Sequence, residues 1–308
     1  MSASLRLRRI LPRFGASGLG TSGMGASSLV GGAIVAAVIL TATLAPWIAP
    51  HDPVSIAIEN ALEPPGREFL LGTDQGGRDI LSRMIWEARV SLMVSLLAMA
   101  IGMGIGVPLG LAAAFWRGSW IEQVILRLME AIASIPLLIW AIAMLGILGV
   151  QPIAVAGIPF GNEYKLLVLI GLLYIPTLTR ITHDVAAGEI AADYVKARRI
   201  QGVSSVRILL GDVLPNCMGP LVVQGTLLIA IGVVVEASVS FIGLGVQPPL
   251  PSWGSMLADS RNYIFSEEWW LPVFPGLAIS FTVIGFNLLG DGLRDVLDPR
   301  SATRGLTG

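Results

Sequence analysis

The sequence is poor in the side chains on which chemistry is usually built. It has one cysteine, Cys217, so no intrachain disulfide can form. Its two histidines, His51 and His183, stand far apart in the chain and make no metal-ligand cluster by spacing. The only lysines are Lys165 and Lys196, and neither follows a glycine. The phosphate-cradling pattern G-x-x-x-x-G-K-[ST] is therefore missing, which excludes a P-loop ATPase. Charge is scarce too. Only 13% of the residues are charged, against about 25% in an average soluble domain. The formal net charge of −1 gives no bulk attraction to nucleic acid.

What is abundant is apolar surface, at 54% of the 308 residues. A helix needs about 20 apolar residues to cross a bilayer. Six segments qualify: 28–50, 90–116, 124–149, 166–182, 217–242 and 272–292. The fold class predicted is an all-α membrane protein with six transmembrane helices. It divides into an N-terminal tail (1–27), a first helix (28–50), an outer loop (51–89) with an amphipathic segment, a five-helix core (90–292) and a C-terminal tail (293–308). The apolar run after Arg6, Arg8, Arg9 and Arg13 is longer than the 7–15 residues or so of a cleaved signal, so an uncleaved anchor is expected.

Basic residues favour the cytoplasmic side. With an even number of spans and an arginine-rich start, both termini are expected there. Fourteen basic residues then fall on that side: the four of the tail, and Arg117, Arg127, Arg180, Lys196, Arg198, Arg199, Arg207, Arg294, Arg300 and Arg304. Six face out, among an acid-rich loop carrying Asp52, Glu59, Glu63, Glu68, Asp74, Asp79 and Glu87. The tail stretch "GASGLGTSGMGASS" reads as a flexible linker. Its G-x-G-x-x-G has no preceding strand, which argues against a dinucleotide site. Its "GASG" and "GTSG" match the short serine motif of rhomboid-type proteases, but neither histidine has a route to those serines.

One charged stretch interrupts the apolar pattern: "DYVKARRIQGVSSVRILLGDVLPN", Asp193 to Asn216. Residues 189–201 have helical composition. Glu189 and Asp193 come early and Lys196, Arg198 and Arg199 late, which suits the helix dipole. Gly202 then offers a left-handed cap, and Ser204 or Ser205 can cap a second helix, "SVRILLGDVL". Pro215 marks the return to the membrane. An amphipathic connector lying on the bilayer and a rigid knob offered to a soluble partner are both compatible with this pattern.

The spacing resembles the cytoplasmic loop of the inner-membrane subunits of ABC importers: E-A-A, three residues, G, nine residues, I, one residue, L-P. Ala197, Gly202, Leu214 and Pro215 match, while Lys196, Arg198 and Asp212 depart from the pattern. "LGTDQGGRDILSRMIWEARVSLMVS" (Leu71–Ser95), "EASVSFIGLGVQPPLPSWGSMLADSRNYI" (Glu236–Ile264) and "WWLPVFPGLAISFTVIGFNLLGDGLRDVLDPR" (Trp269–Arg300) resemble the C-type permease of the dipeptide/oligopeptide branch.

The resemblance implies a type I ABC importer transmembrane domain in a bacterial inner membrane. It implies a cytoplasmic coupling loop (183–216), with Asp193, Tyr194, Lys196, Ala197, Arg198, Gly202, Leu214 and Pro215 toward the ATPase. The implied partners are a second homologous permease, two ATP-binding subunits and a periplasmic or lipid-anchored binding protein. ATP and Mg would sit on the partner subunits, with no cofactor on this chain and no catalytic residue in it. The implied cargo is a di- or oligopeptide; nickel, glutathione or a sugar-linked solute would suit the same machine. An ion-driven secondary transporter would need internal repeats and several midplane ionisable groups, signs that the sequence does not offer.

Within the spans, Gly102, Gly106 and Gly110 form a tandem G-x-x-x-G face, for packing within the subunit or against a partner. Pro108 and Pro136 permit kinks. Glu236 and Asn287 are the membrane-embedded polar groups singled out. Glu236 is expected either to bond backbone or an arginine of the "SFIGLG" loop, or to meet substrate. Glu130 is expected near the inner end of its span without a catalytic role, and Asp291 beside polar neighbours. Trp253 stands among the stiff prolines of a structured outer loop, and Trp269 and Trp270 suit an aromatic belt.

Overall fold

The computed structural model describes residues 25–149, 151–155 and 158–297. Arg6, Arg8, Arg9, Arg13, Arg300 and Arg304, with most of both tails, lie outside the described residues. The chain is nearly all helix. Among the described residues five stretches are long and apolar enough to cross a membrane: α1 (Ala26–Ile48), α2 (Ile80–Phe115), α5 (Asn162–Ala191), the run Ser205–Phe241 and α10 (Trp270–Leu297). A sixth crossing has to be assembled from α3 (Trp120–Ala133) and α4 (Leu137–Leu148). These meet at 82°, which corrects the single span expected over 124–149. Pro136 is the cause. It has no N–H to continue the helix and disfavours helical geometry at Ile135, and its own ψ of 136° starts α4 afresh. Pro108, by contrast, lies inside α2 without breaking it.

Two other boundaries move. Helix α2 starts at Ile80, well inside the stretch assigned to the outer loop, because Asp79 caps it by accepting from the Ser82 N–H at 2.9 Å. At 36 residues α2 is about 54 Å long, far more than the roughly 30 Å of a bilayer core, so it also builds structure outside the lipid. The fourth apolar segment, short in sequence, is a helix of 30 residues in α5. Between α4 and α5 a small antiparallel hairpin pairs β1 (Ile153–Val155) with β2 (Ile158–Phe160).

The centre of the bundle is the seam between α2 and α5. A Cβ on Gly102 would stand 2.8 Å from Tyr174 Cβ, and one on Gly106 2.9 Å from Leu178 Cβ. On Gly110 it would stand 2.5 Å from the Thr179 carbonyl oxygen. Gly171 of α5 returns the fit against Ile101. These distances are inside van der Waals contact, so only glycine lets the two backbones approach this closely. The stripe packs within the subunit. Around it close Val94, Ala98, Leu166, Ile170 and Leu178, all buried. Tyr174 then donates to the Leu228 carbonyl at 2.7 Å and ties the seam to the next helix. A second seam joins α1 to α10, with Gly31 against Leu288 and Gly285 against Ile34.

The ends of the bundle are ordered by polar contacts. Asp74 accepts from the N–H groups of Gly76 and Arg78 and from Arg78 Nε at 2.7 Å. Trp270 is buried, its indole donating to the Thr73 carbonyl, and Trp253 is buried with its indole donating to Met84. Both therefore pin the loops onto the helices, which takes Trp270 out of the aromatic belt expected for it; Trp269 is half exposed.

Overpacking the seam tests this account. Gly106→Leu is expected to destabilise the subunit by about 1–3 kcal/mol, read as a lower unfolding midpoint in detergent. Gly104→Leu, on a face with nothing within 4 Å, is expected to leave the midpoint nearly unchanged. Equal effects of the two would show that the seam is not the critical contact.

Candidate functional site

Helix α5 ends at Ala191, and Ala192 turns the chain with ψ of 150°. A short helix α6 follows (Asp193–Ile200). Glu189 therefore belongs to α5, not to the charged helix. Asp193 opens α6, and Lys196 one turn on donates to it at 2.9 Å. That ammonium holds the exposed Asp193 carboxyl below its usual range.

The turn after α6 is a full left-handed cap. Gly202 has φ of +76°. Its N–H bonds the Arg199 carbonyl at 3.0 Å and the Val203 N–H bonds the Arg198 carbonyl at 3.2 Å, the two reverse bonds of a Schellman motif. Nothing lies within 4 Å of where a Cβ would stand, so conformation alone calls for glycine here. Ser204 is the residue before α7 (Ser205–Ile208), without a side-chain cap bond of its own.

The second arm does not stop at Pro215. After α7 comes a single π turn, Leu209–Val213, and then α8 (Leu214–Phe241) continues into the bundle. The bulge has a local reason. Proline at 215 cannot donate to the Gly211 carbonyl and crowds it. The chain widens by one residue instead, and the Leu214 N–H reaches back to Leu209.

The two arms are clamped together. Arg198 Nε donates to Asp212 Oδ2 at 3.0 Å, with Nη2 at 3.4 Å from Oδ1. Both residues depart from the family pattern, and they depart as a pair of opposite sign. Asn216 adds a second tie, donating to the Asp212 carbonyl and to Tyr194 Oη, each at 3.0 Å. Tyr194 donates in turn to Glu189. Burial, with that carboxylate beside it, pushes the Tyr194 phenol up to about 12, so it stays a hydroxyl donor. Val195, Ile208 and Val213 anchor the element to the bundle, all buried. Ile200 at 88% exposure, Val206 at 66% and Leu210 at 56% leave an apolar surface uncovered on it. Ala197 and Pro215 are also exposed and Leu214 is half-buried.

The polar residues inside the bundle fall out differently. Glu236 of α8 is fully buried. It is held by neither backbone nor arginine but by hydroxyls: Ser91 at 2.7 Å, Ser240 at 2.7 Å and Ser252 at 2.8 Å. That environment leaves no open face for a transported solute. Glu87, counted with the acid-rich loop from sequence, is also fully buried, on α2, with its Oε1 2.8 Å from Ser91 Oγ. Asn287 is half-buried on α10 and Asp291 is exposed. Glu130 is exposed on α3, 3.4 Å from Arg127. Two tethers had no sequence signal. Asn162 Nδ2 donates to the Leu244 and Gly245 carbonyls, and Lys165 Nζ to those of Gly149 and Gln151. Among the described residues no group of three or more His, Cys, Asp or Glu side chains could hold a metal ion.

The fold is thus a membrane bundle whose helix α5 ends in a capped helix–turn–helix, clamped at its base. Residues 106–303 match the family model of the binding-protein-dependent transport system inner membrane component. Residues 27–65 match the N-terminal transmembrane domain of oligopeptide transport permease C. The chain is 39% identical over 265 residues to the di/tripeptide transport system permease protein DppC of Pseudomonas aeruginosa, covering 84% of this chain and 83% of that one. It is 37% identical over 264 residues to a putative peptide transport system permease protein of Brucella suis, covering 86% and 84%. To the dipeptide transport system permease protein DppC of Escherichia coli K12 it is 38% identical over 265 residues, 84% of each chain. The chain belongs to the binding-protein-dependent transport system inner membrane component family and has the type I ABC importer transmembrane fold, a multi-pass inner-membrane protein.

The clamp can be tested by charge exchange. Arg198→Asp alone faces Asp212 with a like charge and is expected to lower the unfolding midpoint. Arg198→Asp with Asp212→Arg is expected to recover most of the loss, a coupling of about 1 kcal/mol. Additive losses in the double variant would mean that the pair contributes nothing.

Proposed function

We propose that this chain is one of two homologous permease subunits of an ATP-driven importer and forms half of the pathway for di- or oligopeptides delivered by a binding protein. The named relatives support the peptide cargo. The chain itself performs no chemistry. Two ATP-binding subunits supply the energy, with ATP and Mg bound there.

The observation that carries the reading is the element Asp193–Pro215. Its Gly202 turn is conformationally fixed, its arms are clamped by Arg198–Asp212, and it presents uncovered Ile200, Val206 and Leu210. A rigid knob with apolar surface suits a cleft on an ATP-binding subunit. Asp193, Tyr194, Lys196, Ala197, Leu214 and Pro215 complete that face or its base. Because α7, the π turn and α8 are continuous, a push on the knob is delivered along 37 residues to the opposite end of the bundle. ATP binding draws the ATPases together, the knobs follow, and the pathway between the permeases opens to the binding protein. Hydrolysis resets it.

In this reading the knob and both termini face the cytoplasm, and the loops around Trp253 and Trp270 face out. A single cysteine at exposed Ser204 is expected to react only with reagents that reach the cytoplasm, and one at exposed Ser266 from outside, in a Cys217→Ser background. External labelling at position 204 would overturn the orientation. Gly202→Trp would force a bulky side chain into a left-handed conformation, strained by about 1–2 kcal/mol, and hold the cleft off the knob. The complex is expected to reach the membrane while peptide uptake and substrate-stimulated ATP hydrolysis fall together. Unchanged uptake and hydrolysis would reduce the element to a surface connector.

A further inference from the structure

Glu87 and Glu236 come from helices far apart in sequence, both with no exposed surface. Ser91 Oγ lies between them, 2.8 Å from Glu87 Oε1 and 2.7 Å from Glu236 Oε2. A hydroxyl carries one proton and can donate to only one of these oxygens. The other is an oxygen–oxygen contact at hydrogen-bond distance and needs a second proton. Only a carboxyl can bring it.

The remaining contacts say which one. Glu236 Oε1 accepts from Ser240 and Ser252. Each of those hydroxyl oxygens faces a backbone donor, the Val246 N–H at 3.1 Å and the Ser255 N–H at 3.5 Å, so their protons are free to point at Glu236. Glu236 is thus surrounded by donors and suits the ionised form. Glu87 has fewer donors, Ser91 on one oxygen and the Trp253 N–H facing its carboxyl, and Oε2 itself has no hydrogen-bond partner among the described residues. A bare ionised oxygen in a dry interior is far costlier than a bare carbonyl oxygen. Two ionised carboxylates separated by one hydroxyl would cost more still.

The nearby charges do not change the count. Arg83, one turn before Glu87 on α2, attracts the Glu87 carboxyl, but it makes no hydrogen bond to it and is engaged more strongly by Asp74, 3.6 Å away, and by Asp259. Helix α1 carries no ionisable side chain. The charges of α10, Asp291, Arg294 and Asp295, lie at its far end, where Gly292 meets Ser28. On α5, Lys165 is engaged by two carbonyls and Tyr174 by Leu228.

We propose that Glu87 and Glu236 form a proton-binding site that holds one proton, on Glu87. Glu87 donates it to Ser91 Oγ, and Ser91 donates to Glu236. The bound proton joins α2, α8 and Ser252, which caps α9 (Trp253–Asp259). Loss of the proton would place a negative charge on each side of Ser91 and release the loop that Ser252 anchors.

The test is infrared difference spectroscopy of the assembled complex, with hydrogen–deuterium exchange, together with unfolding midpoints across an alkaline pH series. At neutral pH the wild type is expected to show a protonated-carboxyl carbonyl band that shifts in heavy water and disappears in Glu87→Gln. Glu87→Gln keeps a donor toward Ser91, so its midpoint is expected to stay flat at alkaline pH where the wild type falls. Glu236→Gln offers one acceptor oxygen in place of two and is expected to cut the yield of assembled complex about tenfold. The same band in wild type and Glu87→Gln would overturn the proposal, and equal tolerance of the two glutamine variants would overturn the assignment to Glu87. If Glu87→Gln does not assemble, the wild-type spectrum decides alone: no protonated-carboxyl band at neutral pH sinks the idea.

Discussion

The close approach of α2 and α5 is the constraint on which the rest of this fold depends. Lipid offers helices no hydrophobic reason to associate, so they meet through fit. Here the fit is made by four glycines, three on α2 and one on α5. With the backbones that close, Tyr174 reaches the Leu228 carbonyl and fixes α8 beside the pair. With α8 fixed, Glu236 comes level with Ser91, and the lower end of α8 emerges where α5 ends. That convergence lets Glu189, Tyr194 and Asn216 meet and seats the charged helix–turn–helix on the bundle.

The polar interior follows an economical rule. Three buried charged or amide groups are met by something short: serine hydroxyls for Glu236, and loop carbonyls for Lys165 and Asn162. Short partners let the helices stay near one another, where a long arginine or lysine between α2 and α8 would prise them apart. The same rule orders the loops, since Trp253 and Trp270 spend their indole N–H groups on loop and helix carbonyls.

Much of this was legible in the sequence, and the failures have physical causes. Apolar runs gave the membrane spans because burial in lipid is a property of composition. The glycine stripe and the left-handed turn at Gly202 were legible because each depends on spacing along one chain. Glu87 was misplaced because a charged residue pulls a reading toward water, and its neutralising surroundings come from α8, far away in sequence. The break at Pro136 was underestimated because proline is often tolerated in membrane helices, as it is at Pro108 in α2. The Arg198–Asp212 pair was invisible because fourteen residues along a continuous helix would hold the two about 21 Å apart. It becomes a neighbour relation only after the Gly202 turn folds one arm onto the other.

The same pair sets the unit in which this segment can be exchanged between relatives. A graft that took only the first arm from another permease would leave Asp212 facing whatever stands at position 198, and one that took only the second would strand Arg198. The π turn adds a further condition, since its extra residue fixes the phase of every side chain on α8 beyond it. A chimaera has to carry Asp193 through Pro215 as one block.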